Sequence, residues 1–445
     1  KHNRSFSYPV ATFSFLVTDF LRNQWRDTGL LDFAKVRVAY GQTGNDTEPY
    51  FVYDRYVKGF VTNPGFPNIN NLEFPIGGVN SYTVSDRLGN PNLEPEITKE
   101  FEIGFEANFF GNRLGIDFSY YNRLTEGLIE LLDIDPSSGY RAQMANLGDV
   151  RNKGIEVMLT GTPLKIGDFR WDVSYNVSRN WNKVEKLSAP EILIDGFTGV
   201  SIHAVEGKPM GQFKSSKAAT TSASDVIYDS EGNAYSQAGM TIVDGSGNPV
   251  ATTNTEYLGK DVNEKYRMGL TNTFSWKGIS LSATLDFRYG GYIYSYTKDY
   301  MHWVGSSPES IHNDRRAFLI PNSVVQNTDG TYSENSIPVD PTALHTFYSE
   351  GGFQRDDYAV IDRSYLKLRD LSLSYQLPKS FCEKLRVSGI RVSANASNIL
   401  LWTPKENAYI DPENTTFGND LGAKFGEFGA NPTNQYYTFS IGLTF

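Results

Sequence analysis

Large apolar residues and small or polar ones alternate along the last stretch of the chain. Tyr437, Phe439, Ile441, Leu443 and Phe445 are interleaved with Thr438, Ser440, Gly442 and Thr444. A period of two places the two sets on opposite faces of a β-strand. The same period recurs upstream. Residues 6–17 are aromatic and β-branched, and a link at 19–31 has room for one helical turn. Residues 32–40 alternate Val36, Val38 and Tyr40 against Lys35, Arg37 and Ala39, then stop at Gly41 and Gly44. Next, Ile97, Phe101, Ile103, Phe105, Ala107 and Phe109 oppose Glu96, Thr98, Glu100, Glu102, Glu106 and Asn108. A face carrying four glutamates needs water, because unpaired carboxylates are too costly to bury.

Further runs follow at 114–120, 155–159, 169–177, 266–276, 279–289, 366–377 and 390–397. The parity of the run from Leu366 slips at Arg369-Asp370, which predicts a β-bulge. Tight turns are predicted at Gly111-Asn112, at 163–167 and at Lys277-Gly278. The turn at 378–386 carries Cys382. Long connections are predicted at 45–95, 124–150, 181–263, 290–361 and 399–434. Short and long links alternate along about eleven strands, so one rim of the sheet has turns and the other has large loops. That sorting is the mark of an outer-membrane barrel, with short periplasmic turns and long extracellular loops. The fold class predicted is therefore all-β, a transmembrane antiparallel β-barrel.

Composition fits this reading. No run of apolar residues in the 445-residue chain is long enough for a membrane-spanning helix. A mean hydropathy of −0.40 excludes a helical membrane protein and leaves room for a barrel with a polar inner face. The net charge of −10 argues against nucleic acid as a partner. The chain begins Lys-His-Asn-Arg, so it is expected to start inside a longer precursor. Phe109-Phe110, Tyr120-Tyr121, Trp171, Trp181, Trp276 and Tyr289 lie near strand ends and suit an interfacial girdle.

Several motifs resemble those of the SusC/RagA TonB-dependent transporters of Bacteroidetes. They are Tyr40-Gly41-Gln42-Thr43-Gly44-Asn45, Asn90-Pro91-Asn92-Leu93-Glu94-Pro95-Glu96, Asn152-Lys153-Gly154-Ile155-Glu156, Glu206-Gly207-Lys208-Pro209-Met210-Gly211, the run from Ser364 to Pro378, and the closing strand. They occur in the family's order and span nearly the whole chain. The resemblance implies a 22-stranded barrel with a plug in its lumen. Residues 1–445 would be the C-terminal part of that one barrel domain, supplying about the last eleven strands. The plug, the TonB-contacting segment and the N-terminal strands would lie outside this chain. Two open sheet edges cannot end in lipid, so the other half is expected as preceding residues or as a separate chain.

No motif of a nucleophilic, zinc or phosphate-binding enzyme is present among the five histidines and their neighbours, so catalysis is not expected. No cofactor is expected. Ca²⁺ in the loops is the one open case, at Asp229-Ser230-Glu231-Gly232-Asn233 and Asp244-Gly245-Ser246-Gly247-Asn248, where the full acidic ladder is missing and Asx/Gly turns are the simpler reading. Loop aromatics are the candidate substrate contacts: Tyr292, Tyr294, Tyr296, Tyr300 and Trp303, with Trp402 and Tyr409 in a second loop. Glu96, Glu100, Glu102, Glu106, Asp117, Arg170, Asp172, Arg267, Asp286 and Arg288 are expected to line the lumen. By resemblance the function would be active import of an oligosaccharide or oligopeptide. A SusD-like surface lipoprotein would cover the mouth, TonB would supply energy, and outer-membrane lipid would surround the wall. The alternative is a structural, adhesive or secretion-associated barrel whose loops bind protein partners.

Overall fold

In the computed structural model, the described residues are 6–25, 29–47, 50–61, 72–75, 77–197, 199–349, 356–416 and 421–445. Eleven strands form one antiparallel path. They are β1 (Val10–Leu16), β2 (Leu31–Asn45), β3 (Glu96–Phe109), β4 (Leu114–Asp133), β5 (Ala142–Ile166), β6 (Phe169–Leu187), β7 (Tyr266–Trp276), β8 (Ile279–Tyr289), β9 (Tyr365–Gln376), β10 (Gly389–Trp402) and β11 (Tyr436–Thr444). Each pairs with its sequence neighbour, and Arg87–Leu88 adds a short parallel strand beside β5. Among the described residues β1 and β11 are the two ends of the path. The architecture is the wall of an antiparallel transmembrane barrel, as the alternation predicts.

Register shows how the faces sort. Ile279 of β8 lies level with Tyr375 of β9, which lies level with Val392 of β10 and then Ile441 of β11. The next outward row is Leu281, Leu373, Ala394 and Phe439. Between these rows run Ser280, Ser374, Ser393 and Ser440, on the other face. The bulge falls where predicted, with a register break on both sides of β9 between Leu368 and Asp370.

The short rim holds the Phe110–Arg113, Gly167-Asp168 and Lys277-Gly278 turns. Lys277 and Gly278 both have positive φ (45° and 85°), the geometry a two-residue hairpin requires. The first link carries a nine-residue helix, Val17–Trp25, where a single turn is expected. A short helix, Lys379–Lys384, fills the link between β9 and β10 and buries Cys382.

Three expected boundaries move. Residues 124–150 are mostly strand: β4 and β5 run on as a hairpin to Asp133 and Ala142. Gly127, at φ 65°, and two register breaks near Gly148 hide the alternation there. The β5–β6 turn lies at Gly167-Asp168, because residues 161–164 form an irregularity within β5 instead of a turn. β10 continues to Trp402.

The long loops fold together. A four-stranded sheet (Glu191–Phe197, Val200–Val205, Gln212–Ser215, Glu256–Asp261) lies in the link between β6 and β7. A five-stranded sheet joins that link to Ser323–Gln326 and Tyr332–Glu334 of the β8–β9 link. A three-stranded sheet joins Tyr292–Ser295 and Val360–Asp362 to Gly426–Glu427 of the β10–β11 link. Their shared core is Val200, Ile202, Phe213, Val262, Tyr294, Ala359, Val360 and Phe425. Three loops distant in sequence thus bury one another.

Phe439 faces lipid near the middle of β11. Phe439→Arg is expected to destabilise the assembled barrel by about 2–4 kcal/mol, and Ser440→Arg on the inner face by clearly less. Urea unfolding in lipid vesicles measures both; equal effects would mean that the two faces are not sorted as described.

Candidate functional site

The site is built on the helix Tyr296–Trp303, at the start of the β8–β9 link. Ser295 caps it, its Oγ accepting from the Lys298 amide at 3.1 Å. Glu427, fully buried, reaches the same end from the β10–β11 link. Its carboxylate accepts from Ser295 Oγ at 3.2 Å, from Thr297 Oγ1 at 2.7 Å and from the Ala430 amide at 2.8 Å. An anion is favourable at a helix N-terminus, where amides point outward. Glu427 therefore fixes the helix to a loop more than a hundred residues away.

One face of the helix carries Tyr296, Tyr300 and Trp303, which stack in series with ring centroids 5.9 Å and 5.6 Å apart. Phe428 closes the inner end of the series, 5.8 Å from Tyr296. Tyr300 and Trp303 remain 48% and 49% exposed, unusual for rings that already pack on one another. The opposite face is buried. Lys298 Nζ donates to the Tyr358 carbonyl at 2.9 Å, and burial pushes its pKa down against the pull of Glu309 and Glu406. His302 Nδ1 donates to the Lys298 carbonyl at 2.9 Å, and its ring lies 4.9 Å from Tyr358 and 6.1 Å from Tyr409.

The predicted aromatics therefore divide. Tyr296, Tyr300 and Trp303 come together as a ladder that runs from half-buried Tyr296, packed against the loop core, to exposed Tyr300 and Trp303. Tyr292 is half-buried beneath Lys260, whose Nζ lies 5.0 Å from the ring. Tyr294 is corrected: it is fully buried in the loop core, stacked on Phe425, with its hydroxyl donating to Asp299 at 3.0 Å. Tyr409 packs against the buried side of the helix and donates to Glu309. Trp402 is corrected as well. It is the last residue of β10, level with Leu366 and Phe287 on the outer face, so it belongs to the girdle. Phe428 and Glu427 carry no periodic signal in the sequence, and only the folded loops bring them here.

The charged residues predicted for the inner face all share it by register. Most meet other polar or charged groups of the wall and loops, and Arg170 and Asp172 meet each other. Arg123 Nε meets Glu100 at 2.5 Å, Arg37 Nη2 meets Asp117 at 2.6 Å with Glu102 nearby at 3.9 Å, and Arg170 Nε meets Asp172 at 2.6 Å. Glu96 accepts from the Ile129 amide and from Asn45. Arg288 lies 3.1 Å from Glu264. Arg267 sits directly across from Arg288.

At the bulge, Arg369 donates to Asp286 and forms two 2.8 Å bonds to Glu413, while Lys367 donates to Asp411 at 2.7 Å and to Glu413 at 2.6 Å. Asp411 and Glu413 belong to the β10–β11 link, so this network ties the wall to the loops. A polar cavity of about 340 Å³ adjoins it, lined by Lys367, Asn407, Tyr409, Asp411 and Thr433. The two Asp-Gly segments raised for Ca²⁺ form Asx turns. Asp229 accepts from the Glu231 and Asn233 amides, and Asp244 from the Ser246 and Asn248 amides.

Residues 24–399 match the model of the family described as TonB dependent receptor-like, beta-barrel. The chain belongs to this family. Its barrels are those of outer-membrane transporters and receptors. TonB-dependent receptor P3 of Formosa agariphila is 25% identical over 472 aligned residues, covering all of this chain and 42% of that protein. TonB-dependent receptor SusC of Bacteroides thetaiotaomicron is 24% identical, covering all of this chain and 40% of that protein. Among solved structures, the RagAB peptide importer in its 'closed-closed' state superposes with a TM-score of 0.70 at 22% identity, covering all of this chain and 44% of that one. SusC and the RagAB structure are thus similar to this chain along its whole length. The chain spans about two fifths of the length of these relatives.

The Glu413 contacts set a pH dependence. Burial opposes ionisation of its carboxyl, but bonds from Arg369 and Lys367 outweigh that and hold its pKa at about 2, below the ordinary 4.5. A depressed folded-state pKa adds stability above pH 4.5 and loses it as pH falls toward 2. Glu413→Gln is expected to cost on the order of 2 kcal/mol at neutral pH. Its deficit relative to the unsubstituted chain should shrink through that acid window in pH-resolved thermal unfolding. A deficit that does not change with pH would show that the network does not hold Glu413 ionised.

Proposed function

We propose that this chain forms the C-terminal wall and loops of an outer-membrane nutrient importer of a Gram-negative bacterium. The observation that carries the reading is the exposed Tyr300–Trp303 pair, stacked on half-buried Tyr296 and fixed at the loop end of a lumen-forming wall by Glu427. Rings presented in this way suit sugar faces or apolar peptide side chains, and the polar inner wall suits a hydrated path. The printed names of the relatives, SusC and a RagAB peptide importer, support cargo of oligosaccharide or oligopeptide size.

In this reading a SusD-like lipoprotein covers the mouth and delivers cargo to the ladder. A segment upstream of this chain contacts TonB, because a passive barrel has no energy source of its own. The loop core shared by three links would transmit lid contact to the wall through Arg369 and Glu413.

The test is uptake of fluorescent oligosaccharide and oligopeptide pools by cells carrying the intact receptor or its Tyr300→Ala/Trp303→Ala form. Loss of two stacking contacts should cut uptake of one pool by at least about tenfold, with surface amount unchanged. The pool affected identifies the cargo class. Unchanged uptake of both pools, with lost adhesion to other cells, would favour the structural or adhesive barrel instead.

A further inference from the structure

On the outer face, near the short turns, the row of outward side chains is broken at Gly161. This glycine pairs with Leu114 of β4 on one side and with Val173 of β6 on the other. With no side chain between them, a groove of about 640 Å³ opens, walled by Phe110, Leu114, Leu159, Val173 and Tyr175. The wall is apolar, as a surface facing hydrocarbon must be.

Arg113 stands at the edge of this groove, just after the tight turn. Its Nε and Nη2 donate to the Thr162 carbonyl at 3.3 Å and 3.1 Å, and Nη2 also to the Pro163 carbonyl at 3.2 Å. The irregularity in β5 that supplies these carbonyls is the one that creates the groove. The guanidinium is therefore held in place, with Nη1 directed to no hydrogen-bond acceptor and no carboxylate in ion-pair range among the described residues. An exposed, positioned, uncompensated cation beside an apolar groove at the membrane surface matches one chemistry: a phosphate joined to an acyl chain.

A second groove repeats the plan. It measures about 860 Å³ and lies over Ala394, with Ile279, Leu373, Val392, Phe439 and Ile441 as walls. Lys277 is at its edge, in another short turn, with its ammonium 5.4 Å from the Trp276 ring. Small residue, apolar walls and turn-borne cation occur together twice on the same rim.

We propose that the Gly161 groove is a binding site for a phospholipid of the periplasmic leaflet. One acyl chain lies over Gly161 between β4 and β6, and the phosphate accepts hydrogen bonds from Arg113 Nη1. The site is independent of which cargo is carried, and it needs only that the short turns face the periplasm. Lipid held there would brace the bulged part of β5, where the ladder is interrupted.

The test is native mass spectrometry of the intact receptor released from nanodiscs of phosphatidylethanolamine and phosphatidylglycerol. The unsubstituted receptor should keep a phospholipid after detergent exchange. Arg113→Gln should reduce its retention at least about fivefold, and Arg113→Lys should restore most of it. A Cβ at Gly161 would meet only ordinary contacts, the nearest being the Arg113 carbonyl at 3.5 Å and Val173 at 3.6 Å. Gly161→Ala should therefore keep the lipid, while Gly161→Leu fills the groove and should expel it. Should Gly161→Leu fail to assemble, the Arg113 pair decides alone. Equal retention in Arg113→Gln and the unsubstituted receptor overturns the proposal. So does Gly161→Leu assembled with its lipid intact. A preference between the two lipids shows whether headgroup charge adds to the phosphate contact.

Discussion

Backbone amides and carbonyls cannot be left unpaired in hydrocarbon, and this one constraint accounts for most of the chain. It requires each wall strand to be bonded on both sides. It requires side chains to sort by parity into a lipid face and a water face. It also confines every irregular segment to the two rims. The outward rows from Ile279 to Ile441 and from Leu281 to Phe439, with serines between them, are the direct result. The constraint reaches β1 and β11 as well. Among the described residues each is paired on one side, and the same rule applies to its other edge.

The loops obey a different rule. Free of the membrane, they must bury apolar side chains like any soluble domain. Val339, Phe347 and Tyr348 do so within one link, but the larger core is built jointly. Phe213 comes from one link, Tyr294 and Val360 from a second, and Phe425 from a third. Glu427 adds a polar fastening at the helix end, where a buried carboxylate is tolerable because hydroxyls and an amide satisfy it. The result leaves the Tyr300 and Trp303 rings outside the core while anchoring the helix that bears them.

What could be read from the sequence follows from these two rules. The wall was legible because parity is a local property, visible in any run of seven or more residues. Even the bulge at Arg369 showed, as a slip in parity. Strand ends were harder, since glycines such as Gly127 and Gly148 interrupt the pattern without ending the strand. In β10 the break is Asn398, at φ 57° and opposite the bulge, so Trp402 reads as a loop residue from sequence and proves to be the last outward residue of the strand. Loop structure was not legible at all. Its strands are two to seven residues long, and some pair across more than a hundred positions, as Tyr294 does with Gly426. Tyr294 and Tyr300 lie six residues apart and differ by the whole distinction between core and surface, which only the tertiary fold decides. Nor does the sequence show that Asp229 and Asp244 hydrogen-bond amides of their own turns.

The bulge in β9 is where wall and loops meet. By adding one residue to the strand, it puts Arg369 and Asp370 on the inner face together. Asp370 stays within the wall, accepting from Ser397 at 2.7 Å. Arg369 reaches both Asp286 in the wall and Glu413 in the loops. A strand in strict alternation could not offer two successive inward groups, and Lys367 alone would leave Asp286 without its cation. The bulge is thus more than an accommodation of twist. It converts a local change of parity into a charged contact between a rigid sheet and a jointly folded cover. A displacement of the β10–β11 link must therefore break or carry with it the contacts of Arg369 and Lys367.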